Sequence, residues 1–113
     1  MLRIYSVILQ VVREVAPLGV VIGRADPDLA RQLRRALASV PLNAAEASYS
    51  RGANRNARYQ NAAGSMREVL ACLEVAEALG YVKAVDPALR GKVNQVIATL
   101  VRVVRPGGAG WPP

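Results

Sequence analysis

Apolar positions recur at three- and four-residue spacing through four stretches of the chain, the period of amphipathic helices rather than strands. In the first stretch Ile4, Ile8, Val11, Val12 and Val15 share one face and Ser6, Gln10 and Arg13 fall opposite, which predicts a helix over about residues 2–16. Pro17 disturbs the pattern, and Pro17-Leu-Gly-Val-Val-Ile-Gly-Arg-Ala25 reads as a loop whose Val-Val-Ile core must be covered by something. The second helix has a clear start, with Asp26 placed to accept bonds from free backbone N–H groups and Pro27 suited to the first turn. Leu29, Leu33, Ala36, Leu37, Val40, Ala44 and Ala47 form its stripe, and Arg31, Arg34 and Arg35 point away. Pro41 removes one backbone hydrogen bond, yet the stripe continues in phase beyond it. The pattern therefore predicts a kinked helix that runs on to about Ser50–Gly52.

The third helix is predicted from about Asn54 to Leu79, with Tyr59, Ala62, Ala63, Met66, Val69, Leu70, Leu73 and Ala76 as its main stripe. Cys72, Val75 and Leu79 make a second apolar strip on nearly the opposite side. A helix apolar on two sides is buried on two sides, so these three residues are candidate contacts with another subunit. Gly80 suits a left-handed C-cap, with Tyr81 and Val82 packing back over the last turn. Asp86 and Pro87 repeat the start signal for the fourth helix. Its stripe is Leu89, Val93, Val96, Ile97, Leu100, Val103 and Val104, with Asn94, Gln95, Arg102 and Arg105 opposite, and Pro106-Gly-Gly stops it. Four stripes with short connections predict an all-α, antiparallel up-down-up-down four-helix bundle over residues 1–105, followed by a flexible tail over 106–113.

Composition narrows this picture. The 113 residues suit one domain, and they are 52% hydrophobic with no Phe, so Ala, Val and Leu fill a core of closely packed helices. The net charge is +7 and arginines far outnumber lysines, which makes RNA or DNA a permitted partner, because the guanidinium fork matches phosphate. The alternative is a solvated basic surface. Arg31, Arg34 and Arg35 on the second helix, and Arg51, Arg55 and Arg58 around the next turn, are the candidate nucleic-acid contacts, with Tyr49 as stacking material beside Arg51. No helix-turn-helix, RNA-recognition motif or zinc finger accompanies them, so base-specific readout is not implied. One cysteine, Cys72, excludes an intramolecular disulfide and fits a cytoplasmic protein. The apolar N-terminus is broken by Gln10, Arg13 and Glu14 without a small-residue cleavage site, and no stretch reads as the ~20 apolar residues of a membrane span, so no membrane partner is expected.

Candidate chemistry is sparse. The absence of histidine removes the commonest general base, His-dependent triads and His-containing zinc sites, and one thiol makes no metal cluster. No glycine-rich phosphate loop precedes a helix. A non-enzymatic protein without cofactor or metal is the expectation. Glu74 and Glu77 read as partners of nearby arginines. Glu46, one turn after Pro41 and on the same side as Asn43, has two readings. It and Asn43 are structural, satisfying backbone groups freed by the proline or pairing with an arginine, or Glu46 binds a ligand.

The runs Gln32-Leu-Arg-Arg-Ala36 and Ser39-Val-Pro-Leu-Asn-Ala-Ala-Glu46, then Gly64-Ser65 with Glu68, Leu73, Ala76 and Leu79-Gly-Tyr81, resemble a four-helix-bundle protein family. Its members include proteins encoded in intervening sequences of bacterial 23S ribosomal RNA genes. It is related to the accessory variability proteins of diversity-generating retroelements. The resemblance runs from about Ile4 to Val104 and implies an up-down bundle assembled as a ring-like homopentamer with a positive surface. In the retroelement relatives, it implies engagement of nucleic acid and a reverse transcriptase. This chain has Ala47 where the family has Gly, and Ala57-Arg-Tyr-Gln60 where the family favours a Phe-containing stretch. The match favours the ribosomal branch. Two functions follow as expectations: a homo-oligomer binding nucleic acid non-specifically, or a structural adaptor that binds a partner protein.

Overall fold

The computed structural model describes residues 2–107 and contains four helices, α1 (Ile4–Ala25), α2 (Pro27–Ser48), α3 (Gly52–Ala78) and α4 (Pro87–Gly107), with no strand among the described residues. α2 packs on α1 and α3, and α4 packs on α3 and α1, so each helix has two neighbours. The molecule measures 47 × 23 × 23 Å, and α3, about 40 Å long at ~1.5 Å per residue, spans most of the long axis. The stripes form one core. Ile8, Val11, Val15 and Ile22 of α1, Leu33 and Val40 of α2, Met66, Val69 and Leu73 of α3, and Val93, Val96 and Leu100 of α4 are all fully buried. α2 and α3 share the most extensive contact, and their buried faces are rich in alanine: Ala36, Ala44 and Ala47 on one, Ala62, Ala63 and Ala76 on the other. Small side chains let two helix backbones approach closely, which explains how so few aromatics fill the core.

The largest correction concerns Pro17. The segment from Pro17 to Ala25 is helix, not loop, and α1 runs unbroken for 22 residues. Pro17 lacks the N–H that would bond the Arg13 carbonyl, but both residues are exposed, so water can serve that carbonyl. The inward phase also survives the proline, since Gly19 and Ile22 continue the buried line of Val11 and Val15. Of the Val-Val-Ile core only Ile22 is covered, while Val20 and Val21 are exposed. A second correction follows. With Pro17 inside it, α1 is long and apolar enough to cross a membrane by length and composition, with a mean hydropathy of 1.6 over its most apolar window. Its buried Ile4, Ile8, Val11, Val15 and Ile22 lie along one face and belong to the core.

The other boundaries rest on local chemistry. Asp26 alone links α1 to α2: its N–H donates to the Ile22 carbonyl at 2.8 Å, and its Oδ1 accepts from Leu29 N–H at 3.0 Å. α2 passes through Pro41 as its stripe predicts and ends at Ser48, slightly earlier than expected. α3 ends in a Schellman turn on Gly80 (φ +79°), where Gly80 N–H donates to the Glu77 carbonyl and Tyr81 N–H to the Ala76 carbonyl. Asp86 Oδ1 accepts from Ala88 N–H at 3.0 Å and caps α4. α4 continues through Pro106 to Gly107, two residues past the boundary expected for the bundle, and tail residues 108–113 lie outside the described residues.

Candidate nucleic-acid interface

One face of α2 is not core. Arg35, Ser39, Leu42, Glu46 and Tyr49 follow one another at four- and three-residue steps, so they stand in a single row. This row lines an open groove of about 670 Å³ with Arg58 of α3 on the opposite wall, and Tyr49 follows at its end. The groove continues past Arg35 and Ser39 to Gln32 on α2 and to Ser65 and Glu68 on α3. Its floor is a small polar network: Ser39 Oγ meets Ser65 Oγ at 2.8 Å, and Asn43 Nδ2 donates to Ser39 Oγ at 2.9 Å and to the Ser39 carbonyl at 3.0 Å. Each bond of this kind contributes about 0.5–1.5 kcal/mol net, and the serine pair fixes the register of α2 on α3.

The six candidate arginines are exposed, and the structure regroups them. Arg31 is tied to Asp28 of its own first turn. The stem of Arg34 lies against α1, its Cγ 3.9 Å from where a Cβ on Gly19 would stand. Only Arg35 of this trio enters the groove, where it joins Arg58. Arg51 precedes α3 in an extended conformation, with no side-chain cap on the helix and no acid in its first turn. The Arg55 guanidinium sits 5.4 Å from the centroid of the buried Tyr59 ring, a cation–π contact that holds its stem without neutralising it. The row of α2 is the signal that could have marked this wall in advance, since its spacing gives a second, polar face, while Ser39, Leu42 and Ser65 pass individually as unremarkable surface residues.

Asn43 does not serve the backbone group that the proline frees. Pro41 leaves the Leu37 carbonyl without its partner, whereas Asn43 bonds Ser39, whose carbonyl the proline does not affect. The Glu46 carboxylate forms no ion pair or side-chain hydrogen bond among the described residues and faces the groove with Arg35 and Arg58. Glu74 and Glu77 do pair with an arginine as expected: Arg90 of α4 reaches Glu74 at 2.9 Å and Glu77 at 3.7 Å. Glu77 also accepts from Val85 N–H at 3.0 Å, and Lys92 bridges α4 to Glu14 of α1 at 2.5 Å.

The second apolar strip of α3 is narrower than expected. Cys72 is 5% exposed and belongs to the core of its own chain, whereas Val75 and Leu79 are 45% and 57% exposed. Cys72 lies about 40° around the helix from Ala76 and shares its burial, whereas Leu79, about 60° from Ala76, stands past the last helical residue and is exposed. Burial pushes its thiol pKa up, and the Glu68 carboxylate adds to the rise, so the thiol stays protonated and unreactive near neutrality. Among the described residues no group of three or more His, Cys, Asp or Glu side chains is placed to hold a metal ion.

A family model of the 23S rRNA-intervening sequence protein matches residues 2–102, which takes in all of α1, α2 and α3 and most of α4. No curated protein and no solved structure matches the chain. A match over nearly the whole of the bundle decides the family: this chain belongs to the 23S rRNA-intervening sequence proteins.

Proposed function

We propose that this protein is a non-enzymatic, homo-oligomeric, antiparallel four-helix bundle of the cytoplasm that binds nucleic acid without sequence readout through the α2–α3 surface. The observation that carries the reading is the distribution of charge. Residues 27–78 hold seven arginines against five acids, of which Glu74 and Glu77 are taken by Arg90 of α4, and only Arg31 of the seven is spent on an ion pair among the described residues. Arg35, Arg51, Arg55 and Arg58 are left to meet phosphate, each displacing a counterion when it does.

The up-down course is supported by the contacts of α1 with α2. Gly19 lies against Leu33 and Gly23 against Ala30, so the partners advance in opposite directions. The Tyr81 hydroxyl, which donates to Asp26 Oδ2 at 3.3 Å, brings the α3–α4 connection to the α1–α2 joint, as an up-down path requires. Self-association, a ring by family resemblance, is supported by the exposed Val75 and Leu79, and a protein partner such as the reverse transcriptase of retroelement relatives would use the same apolar strip.

The direct test is affinity for RNA and DNA by fluorescence anisotropy across a salt series. The expected result is binding at low salt whose log affinity falls by about 0.7–0.9 per log salt for each phosphate contacted. Absence of binding at low salt defeats the reading and leaves the adaptor function, for which a partner retained on the protein after nuclease treatment is the positive sign.

A further inference from the structure

We propose that the α2–α3 turn is a single-stranded RNA platform on which Tyr49 stacks a base while Arg51, Arg55 and Arg58 hold the neighbouring phosphates. This rests on the nucleic-acid function above and narrows its ligand.

The first ground is the ring itself. Of the four tyrosines, Tyr59 is buried, Tyr5 is half-buried against the core and Tyr81 donates to Asp26, but Tyr49 is 84% exposed. Its backbone is nonetheless anchored. Tyr49 N–H donates to the Glu46 carbonyl at 3.1 Å, Ser50 Oγ donates to the same carbonyl at 3.0 Å, and Ser50 N–H donates to the Ala47 carbonyl at 3.1 Å. An aromatic ring on a fixed backbone loses little entropy when a base stacks on it.

The second ground is the surroundings. Arg51, Arg55 and Arg58 follow within nine residues and carry no ion pair among the described residues, and the single acid nearby is Glu46, one turn before Tyr49 in the same row. Glu46 repels phosphate and can accept from a base N–H, the exocyclic amine of cytosine or the N3–H of uracil, so a strand here turns its bases toward Glu46 and its phosphates toward Arg51, Arg55 and Arg58. From Arg35 to Tyr49 the row covers about 21 Å at ~1.5 Å per residue, a length that spans several nucleotides of a single strand.

Stacking separates single strands from duplex, because paired bases present no free face to a side chain. RNA is favoured over DNA by the half-exposed Ser50 and the exposed Asn54 at the turn, whose oxygens can accept from a 2′-hydroxyl.

The test compares the wild-type chain with Tyr49→Ala and Tyr49→Phe, titrated at low salt against a 12-nucleotide oligo-U, the matching oligo-dT and a 12-base-pair RNA duplex. The expected result is that Tyr49→Ala weakens oligo-U binding by about 5- to 150-fold, leaves duplex binding within twofold, and is rescued by Tyr49→Phe. Equal loss on oligo-U and duplex, or no loss on oligo-U, overturns the platform while the wider nucleic-acid function stands. Equal wild-type affinity for oligo-U and oligo-dT overturns the choice of RNA. A wild-type chain that binds none of the three probes overturns both readings, and circular dichroism of each variant confirms that the helices are intact.

Discussion

Three helices of this bundle begin inside the chain, and they do not begin alike. α2 and α4 each start on an aspartate whose carboxylate takes a backbone N–H, and each has proline as its first residue. α3 starts on Arg51 and Gly52 (φ +56°), with no side-chain cap and no acid in its first turn. Around the two capped starts the acids are occupied: Asp26 also accepts from Tyr81, Asp28 holds Arg31, and Glu74 and Glu77 hold Arg90. Around the start of α3, Arg51, Arg55 and Arg58 have no such partners among the described residues. A modest net charge of +7 becomes a concentrated field because most of the anions are used up elsewhere as caps and ion pairs. α4 likewise has no acid in its first turn, so what sets α3 apart is the missing side-chain cap on its first N–H groups.

The contrast can be broken in three ways. The largest effect is expected from Arg51→Glu, Arg55→Glu and Arg58→Glu together. RNA affinity at low salt should fall at least about 100-fold and the salt slope should shrink by about two, while the thermal midpoint holds, because exposed charges contribute little to stability. Anisotropy and circular dichroism read the two outcomes, and an unchanged affinity would place the binding surface elsewhere. The opposite pattern is expected from Asp26→Ala. Losing the cap should cost about 1–2 kcal/mol, seen as a lower urea midpoint, with RNA affinity unaffected.

The smallest effect is alkaline. Tyr81 has its hydroxyl pKa pushed up by burial, then by the Asp26 charge and the hydrogen bond to it, and the Cys72 thiol is pushed up by burial and then by Glu68. Both groups hold their protons more tightly folded than unfolded. Their contribution is complete at neutral pH and is lost as pH rises past the unfolded values, about 8.5 for a thiol and about 10 for a phenol. Thermal midpoints from pH 7 to 11 should therefore decline, with Cys72→Ala flattening the earlier part of the fall and Tyr81→Phe the later part.

Most of the fold is legible in the sequence because its signals are local. Asp26-Pro27 and Asp86-Pro87 mark two helix starts, Gly80 marks an end, and the stripes name nearly every buried side chain of α2, α3 and α4. Pro17 misleads because a proline inside a helix is judged by its local cost, about 3 kcal/mol or more, while its tolerance depends on distant packing that keeps Ile22 in the core. Cys72 misleads for a related reason. α3 carries apolar residues on more than one side, so periodicity alone cannot say where its inner face stops. The charge of the candidate interface is readable as composition, but its shape is not. Arg35 and Arg58 are 23 residues apart, and only the packing of α2 on α3 sets them across one groove.

The single-residue joint at Asp26 has a consequence for how this chain can vary in length. One residue inserted there would advance α2 by about 100°. If the backbone of α2 stayed in place, the sites now filled by Leu33, Ala36, Val40, Ala44 and Ala47 would receive Gln32, Arg35, Ser39, Asn43 and Glu46. The polar groove would be turned into the core and the core turned out to solvent. The three-residue turn at 49–51 lies at the surface, with Tyr49 and Arg51 exposed, and can lengthen there without rotating α2. Homologous chains should therefore gain and lose residues between α2 and α3 but keep a fixed count between α1 and α2, as strictly as they keep any buried side chain.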